Sequence, residues 1–127
     1  MRLIVYTNPR DNSASLLQDE IPKIASLNVE FIHTQENFMR SLRSHMVFQS
    51  VVVFQATDQA DFLFLESIRN LLFDARLILI LPDREKDTIK KGFSLYPRYI
   101  AYSDDGYKDV AAVLKKMHLN YNLKGNR

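Results

Sequence analysis

The chain has 127 residues, 46% of them hydrophobic and 25% charged, and a net charge of +2. These values describe one globular domain with enough apolar mass for a single core. Both signs of charge are scattered along the chain, which argues against an electrostatic nucleic-acid binder with its basic side chains gathered on one face. Cysteine is absent, so disulfides and thiolate chemistry are excluded.

Residues 3–6 form the first apolar run, which reads as a strand and is too short for a secretory leader. A polar turn follows, and Pro9 discourages regular structure within it. Asn12 or Ser13 can cap the next helix, where Leu16, Leu17, Ile21 and Ile24 recur at helical spacing. Pro22 predicts a kink or early stop near Ile21, because its ring clashes with the preceding turn. Residues 29–34 read as a second strand, and Phe38, Met39, Leu42 and Met46 as one face of a second helix.

The stretch 50–58 is the central feature. A β-branched apolar run ends abruptly in polar residues, as expected of a parallel strand buried on both faces. Asp58 is placed to cap a third helix carrying Phe62, Leu65, Ile68 and Leu72. Leu63, Phe64, Leu71 and Phe73 broaden its apolar girdle, so this helix is either well covered or in contact with another molecule. Residues 76–81 form the fourth strand, stopped by Pro82 and Asp83. A weak helix spans 85–93, with Ile89 and Phe93 as its apolar pair, and 99–102 is the fifth strand. Residues 103–106 make a turn with a helix cap, and Val110, Ala111, Val113, Leu114 and Met117 mark the last helix. Residues 1–119 thus form the domain, and 120–127 read as a polar tail that frays.

Strand and helix alternate five times, which predicts an α/β three-layer sandwich: a five-stranded parallel sheet of order 2-1-3-4-5 with five helices. Any site then falls at the C-terminal strand ends. No apolar stretch is long and continuous enough to cross a bilayer, and the expectation is a cytoplasmic protein that binds neither membrane nor nucleic acid.

The order and length of these elements over residues 2–119 resemble the receiver domain of bacterial response regulators. The opening run Arg2-Leu3-Ile4-Val5, and the stretch from Lys90-Lys91-Gly92 through Ser103, look like a receiver's first strand and its fourth helix with fifth strand. The resemblance implies a definite reactive set. Acids after the first strand hold Mg²⁺, an Asp ending the third accepts phosphate, a hydroxyl residue follows the fourth, and a Lys follows the fifth. Here Tyr6 and Thr7 stand in place of the acids, Gln55 in place of the acceptor, Pro82 for the hydroxyl residue and Tyr102 for the Lys.

Each replacement removes a physical function. Mg²⁺ favours charged oxygen ligands, and a phenol and a neutral hydroxyl are poor substitutes. A Gln amide is not the nucleophile that a carboxylate is. Proline offers neither a hydroxyl nor a backbone N–H, and Tyr102 is uncharged near neutral pH. The expected state is a degenerate receiver with no catalytic residue, metal or cofactor. A longer third strand would instead end on Asp58, with Asp83 and either Asp104 or Asp105 on nearby loops giving an acidic rim.

Asn8, Arg10 and Ser13 in the loop 7–15 could hold an anion at a helix N-terminus, so small-ligand or nucleotide binding is the alternative function. His33, His45 and His118 lack metal-ligand spacing, and Ser13, Ser15 and Ser103 lack a glycine-flanked elbow. Phe93, Tyr96, Tyr99, Tyr102 and Tyr107 cluster around the fifth strand; aromatics with a polar tip suit interfaces, and the same rings could equally finish the edge of a small core. The resemblance implies that this face meets a protein partner or a second copy of the chain, giving a homodimer.

Overall fold

The computed structural model describes residues 2–8, 17, 19–21, 28–44 and 50–125. Its strands are β1 (Arg2–Tyr6), β2 (Asn28–Ile32), β3 (Ser50–Gln55), β4 (Arg76–Leu81) and β5 (Tyr99–Tyr102). They form one parallel sheet of order β2-β1-β3-β4-β5, as the alternation of elements predicts. The helices are α1 (Gln35–Ser44), α2 (Gln59–Ser67), α3 (Arg69–Leu72), α4 (Lys86–Phe93) and α5 (Lys108–Gly125). Leu17, Asp19 and Glu20, between β1 and β2, are also helical.

Side chains alternate across a strand, so the sheet divides the core into two. On one face Ile4, Tyr6, Val52, Phe54, Leu77, Leu79 and Leu81 meet Phe38 and Leu42 of α1, Phe62 and Leu65 of α2, Ile68 and Leu72. On the other, Leu3, Val5, Val51, Val53, Ile78, Ile80 and Ala101 meet Leu17, Ile21, Tyr107, Val110 and Leu114. Every residue of β3 is buried, because this strand has neighbours on both edges and helices on both faces. β2 and β5 form the two edges, and they are the less buried strands.

Local chemistry sets several boundaries. The Thr34 Oγ1 accepts the Asn37 N–H at 3.1 Å and starts α1. The predicted third helix is two helices, α2 and α3, broken at Ile68. Next to the break, the Ser67 hydroxyl donates to the Phe64 carbonyl at 2.6 Å, a back-bond that bends helices. The broad girdle is accordingly only part covered: Leu63 and Phe73 stay exposed while Phe62, Leu65, Ile68 and Leu72 are buried. α4 lies tight on β4, where a side chain added at Gly92 would come within 3.2 Å of the Leu81 methyls.

Two ends differ from the sequence reading by more than one residue. The last helix does not end near residue 119 but continues to Gly125; the segment has no proline, and its first glycine falls at the final position. β2 ends at Ile32 rather than residue 34, because Thr34 is taken up in starting α1. Residues 45–49, including His45 and Met46, and the loop residues Pro9, Arg10, Asn12 and Ser13 lie outside the described residues.

Candidate functional site

The C-terminal ends of β1, β3, β4 and β5 converge on one mouth, and the chain has filled it with closed pairings. β3 ends at Gln55 rather than running on to Asp58. Gln55 is fully buried, and its Nε2 donates to the Tyr107 hydroxyl at 2.7 Å. It points away from α1 and α2, into the layer held by α5. Tyr107 is itself 2% exposed, so it does not belong to the predicted interface. The reason lies in the helix period: Tyr107 continues the stripe of Val110 and Leu114 and is drawn inward with them.

Asp58 is a helix cap. Its backbone is extended and its Oδ1 accepts the Asp61 N–H at 3.1 Å. Asp61 reaches back in turn, its Oδ2 accepting the Thr57 N–H at 2.8 Å and the Thr57 hydroxyl at 2.9 Å. This reciprocal arrangement is close to a capping box. The Asn8 amide then donates to the Thr57 hydroxyl at 3.3 Å and ties the β1 loop to the β3 loop. Among the described residues, Asp58 and Asp61 are thereby committed to the start of α2.

Tyr6 and Thr7 close the β1 side. The Tyr6 ring stacks on Phe54 at 4.3 Å with an interplanar angle of 9°, and meets Phe38 edge-on at 5.7 Å. Burial raises the Tyr6 phenol above its ordinary pKa, and the nearby Asp61 and Asp58 carboxylates raise it further. Thr7 is fully buried; its N–H donates to the Ile32 carbonyl at 3.1 Å, and its Oγ1 lies 3.2 Å from the His33 Nδ1.

On the β4–β5 side, Pro82 follows the strand and its carbonyl stands 3.5 Å from the Ser103 hydroxyl. Arg84 binds Asp104 with one nitrogen, at 2.6 and 2.7 Å, and Asp105 with the other, at 2.5 Å. Its guanidinium lies 4.2 Å above the Tyr102 ring. The two aspartates, Asp104 foremost, push the guanidinium pKa still higher. Asp83 accepts the Glu85 N–H at 3.0 Å, and its carboxyl is held below the usual range by the Thr88 hydroxyl and then by that N–H. The acidic rim is therefore divided among an arginine clamp and a local turn. Among the described residues no group of three His, Asp or Glu side chains is placed to hold a metal ion.

Sequence reasoning placed Asp58 as a cap but passed over Asp61, although Asp58-Gln59-Ala60-Asp61 has capping-box spacing. It also passed over Arg84, whose partners lie 20 and 21 residues away. Of the predicted interface aromatics, Phe93 and Tyr96 are 62% and 76% exposed. Tyr99 and Tyr102 pack in part against the core on opposite faces of the sheet.

No family model matches the chain, and no curated protein matches it in sequence. Solved structures do share its architecture. A putative pilus assembly protein from Burkholderia thailandensis E264 superposes with a TM-score of 0.68 at 12% identity, covering 91% of this chain and 96% of that one. A putative pilus assembly-related protein from Burkholderia pseudomallei K96243 gives 0.67 at 12%, covering 91% and 87%. A response regulator receiver domain from Rhodospirillum rubrum gives 0.64 at 11%, covering 95% and 94%. The chain therefore has the receiver-type, flavodoxin-like fold. Among the described residues no helix is long and apolar enough to cross a membrane.

Proposed function

We propose that this chain is a receiver-like signalling or interaction module that accepts no phosphoryl group on aspartate and acts through a protein partner or a second copy of itself. The observation that carries this reading is Gln55. The side chain ending the central strand is a neutral amide, fully buried and bonded to Tyr107, where phosphoacceptor chemistry needs an accessible carboxylate. Among the described residues, Asp58 and Asp61 have helix-capping roles and Asp104 and Asp105 are paired with Arg84. The exposed Phe93 is the natural starting point for the partner face, and the module works in the cytoplasm as a non-enzyme. The putative pilus assembly proteins that share the fold support a role in assembly.

The test is intact mass after incubation with acetyl phosphate and Mg²⁺. The expected spectrum is that of the untreated protein. A stoichiometric phosphoryl adduct that disappears in Asp58→Asn or Asp61→Asn would sink the proposal. Sedimentation over a concentration series then separates the two kinds of partner, with self-association weakened by Phe93→Ser expected for a second copy.

A further inference from the structure

At the opposite end of β4 from the mouth, the short helix α3 and the turn between α4 and β5 enclose a cavity of about 390 Å³. That volume lies within the range of small-molecule sites. Leu72, Leu77 and Leu95 line its apolar floor, and the rings of Phe73 and Tyr96 line its sides. Both rings are largely in water, at 82% and 76% exposure. Arg69 also lines the cavity, with its guanidinium 5.9 Å from the centre of the Tyr96 ring. Among the described residues Arg69 has no ion pair, in contrast to Arg84 with its two aspartates.

Tyr96 stands out in its backbone. It is the one non-glycine residue with positive φ among those described, at 52°. Its N–H donates to the Phe93 carbonyl at 3.0 Å as the chain leaves α4, the place where helices usually end on glycine. A tyrosine here bears strain that a glycine would not. The strain is not offset by burial, since the ring faces solvent. Strain held at one wall of a cavity points from structure to binding.

We infer that this cavity binds a small amphipathic anion, with an apolar or aromatic body and one carboxylate- or sulfonate-type group. The body fills the leucine floor between the two rings, and the charged group takes the arginine's donors, a bond stronger than a neutral one. This goes beyond the proposed function and does not depend on it. It provides a place to receive a chemical input far from the mouth.

The probe is 8-anilinonaphthalene-1-sulfonate, read by its fluorescence on the full chain, which has no tryptophan to complicate the signal. The expected result is a saturable one-to-one enhancement. N-phenyl-1-naphthylamine, the same ring system without the sulfonate, should bind about tenfold more weakly. Arg69→Gln should weaken the sulfonate probe by about the same factor and leave the neutral one unchanged. Tyr96→Gly should weaken both probes while the thermal midpoint stays level or rises, because the strain is relieved. Non-saturable binding, equal affinity for both probes, Tyr96→Gly with binding intact, or Tyr96→Gly with a lowered midpoint would each overturn the inference. The last would show the ring to be structural.

Discussion

Gln55→Asp places an acid at the end of the central strand, and the structure predicts that it costs stability without adding chemistry. The substitution removes one buried methylene, worth about 0.8 kcal/mol. It also draws the polar group back by about one carbon–carbon bond, about 1.5 Å. A bond of 2.7 Å to the Tyr107 hydroxyl cannot span that retreat. Losing it at a fully buried position costs about 1–3 kcal/mol. The sum, about 2–4 kcal/mol, is a large part of the about 5–15 kcal/mol typical of a domain. At this chain length it corresponds to a fall of roughly 10 °C in midpoint.

The introduced carboxyl sits away from water, so burial raises its folded pKa above the unfolded value of about 3.9. For a group shifted upward, the stability it contributes is fully present below the unfolded pKa and is lost as pH rises through the folded one. Urea unfolding of parent and variant should therefore show a stability gap that widens between about pH 4 and about pH 7. Acetyl phosphate and Mg²⁺ should leave the variant's mass unchanged. A variant as stable as the parent at neutral pH, and phosphorylated stoichiometrically, would refute the claim that the mouth is closed by packing.

Asp58→Ala should lower unfolding free energy by about 1 kcal/mol, as for a lost N-cap, while Asp58→Asn should retain most of it, both read by urea denaturation. Tyr6 should ionise above the ordinary tyrosine value in an ultraviolet titration, since burial first and Asp61 and Asp58 next raise its pKa. Its contribution is complete below the unfolded tyrosine value and lost as pH climbs through the folded one, so Tyr6→Phe should flatten the alkaline limb of the stability profile. Gly106 has φ 76° with open space where a side chain would go. Gly106→Ala should therefore cost about 1–3 kcal/mol through backbone strain alone, measured by thermal unfolding; an unchanged midpoint would show that the turn relaxes freely.

The strands and their order were legible because the two-sided burial of a parallel sheet writes itself as short apolar runs. Residues 76–81 and 99–102 fall where the runs place them, and Asp58 caps where its spacing says. The break at Ile68 was not legible, because the apolar period runs straight through it and the bend comes from a hydroxyl bonding back to a carbonyl. At the mouth, the residues that stand at the strand ends could be read one by one. What fills it could not: Gln55 with Tyr107 and Arg84 with Asp104 are partners only once the sheet has formed. The spacing of Tyr107, three residues before Val110 and seven before Leu114, was a signal for the core that the aromatic cluster around the fifth strand outweighed.

The aromatic quartet under the mouth has a consequence for what the chain could become. Tyr6, Phe54, Phe38 and Phe64 form a continuous ring-to-ring floor, with centroids 4.3 to 6.3 Å apart. An acid replacing Tyr6 would leave a void between these rings and place an ion against hydrocarbon. Any smaller or charged side chain there loosens the packing of all four rings. The floor thus ties the mouth to the core, and a change of charge at Tyr6 has to be matched by a change in the hydrophobic layer beneath it.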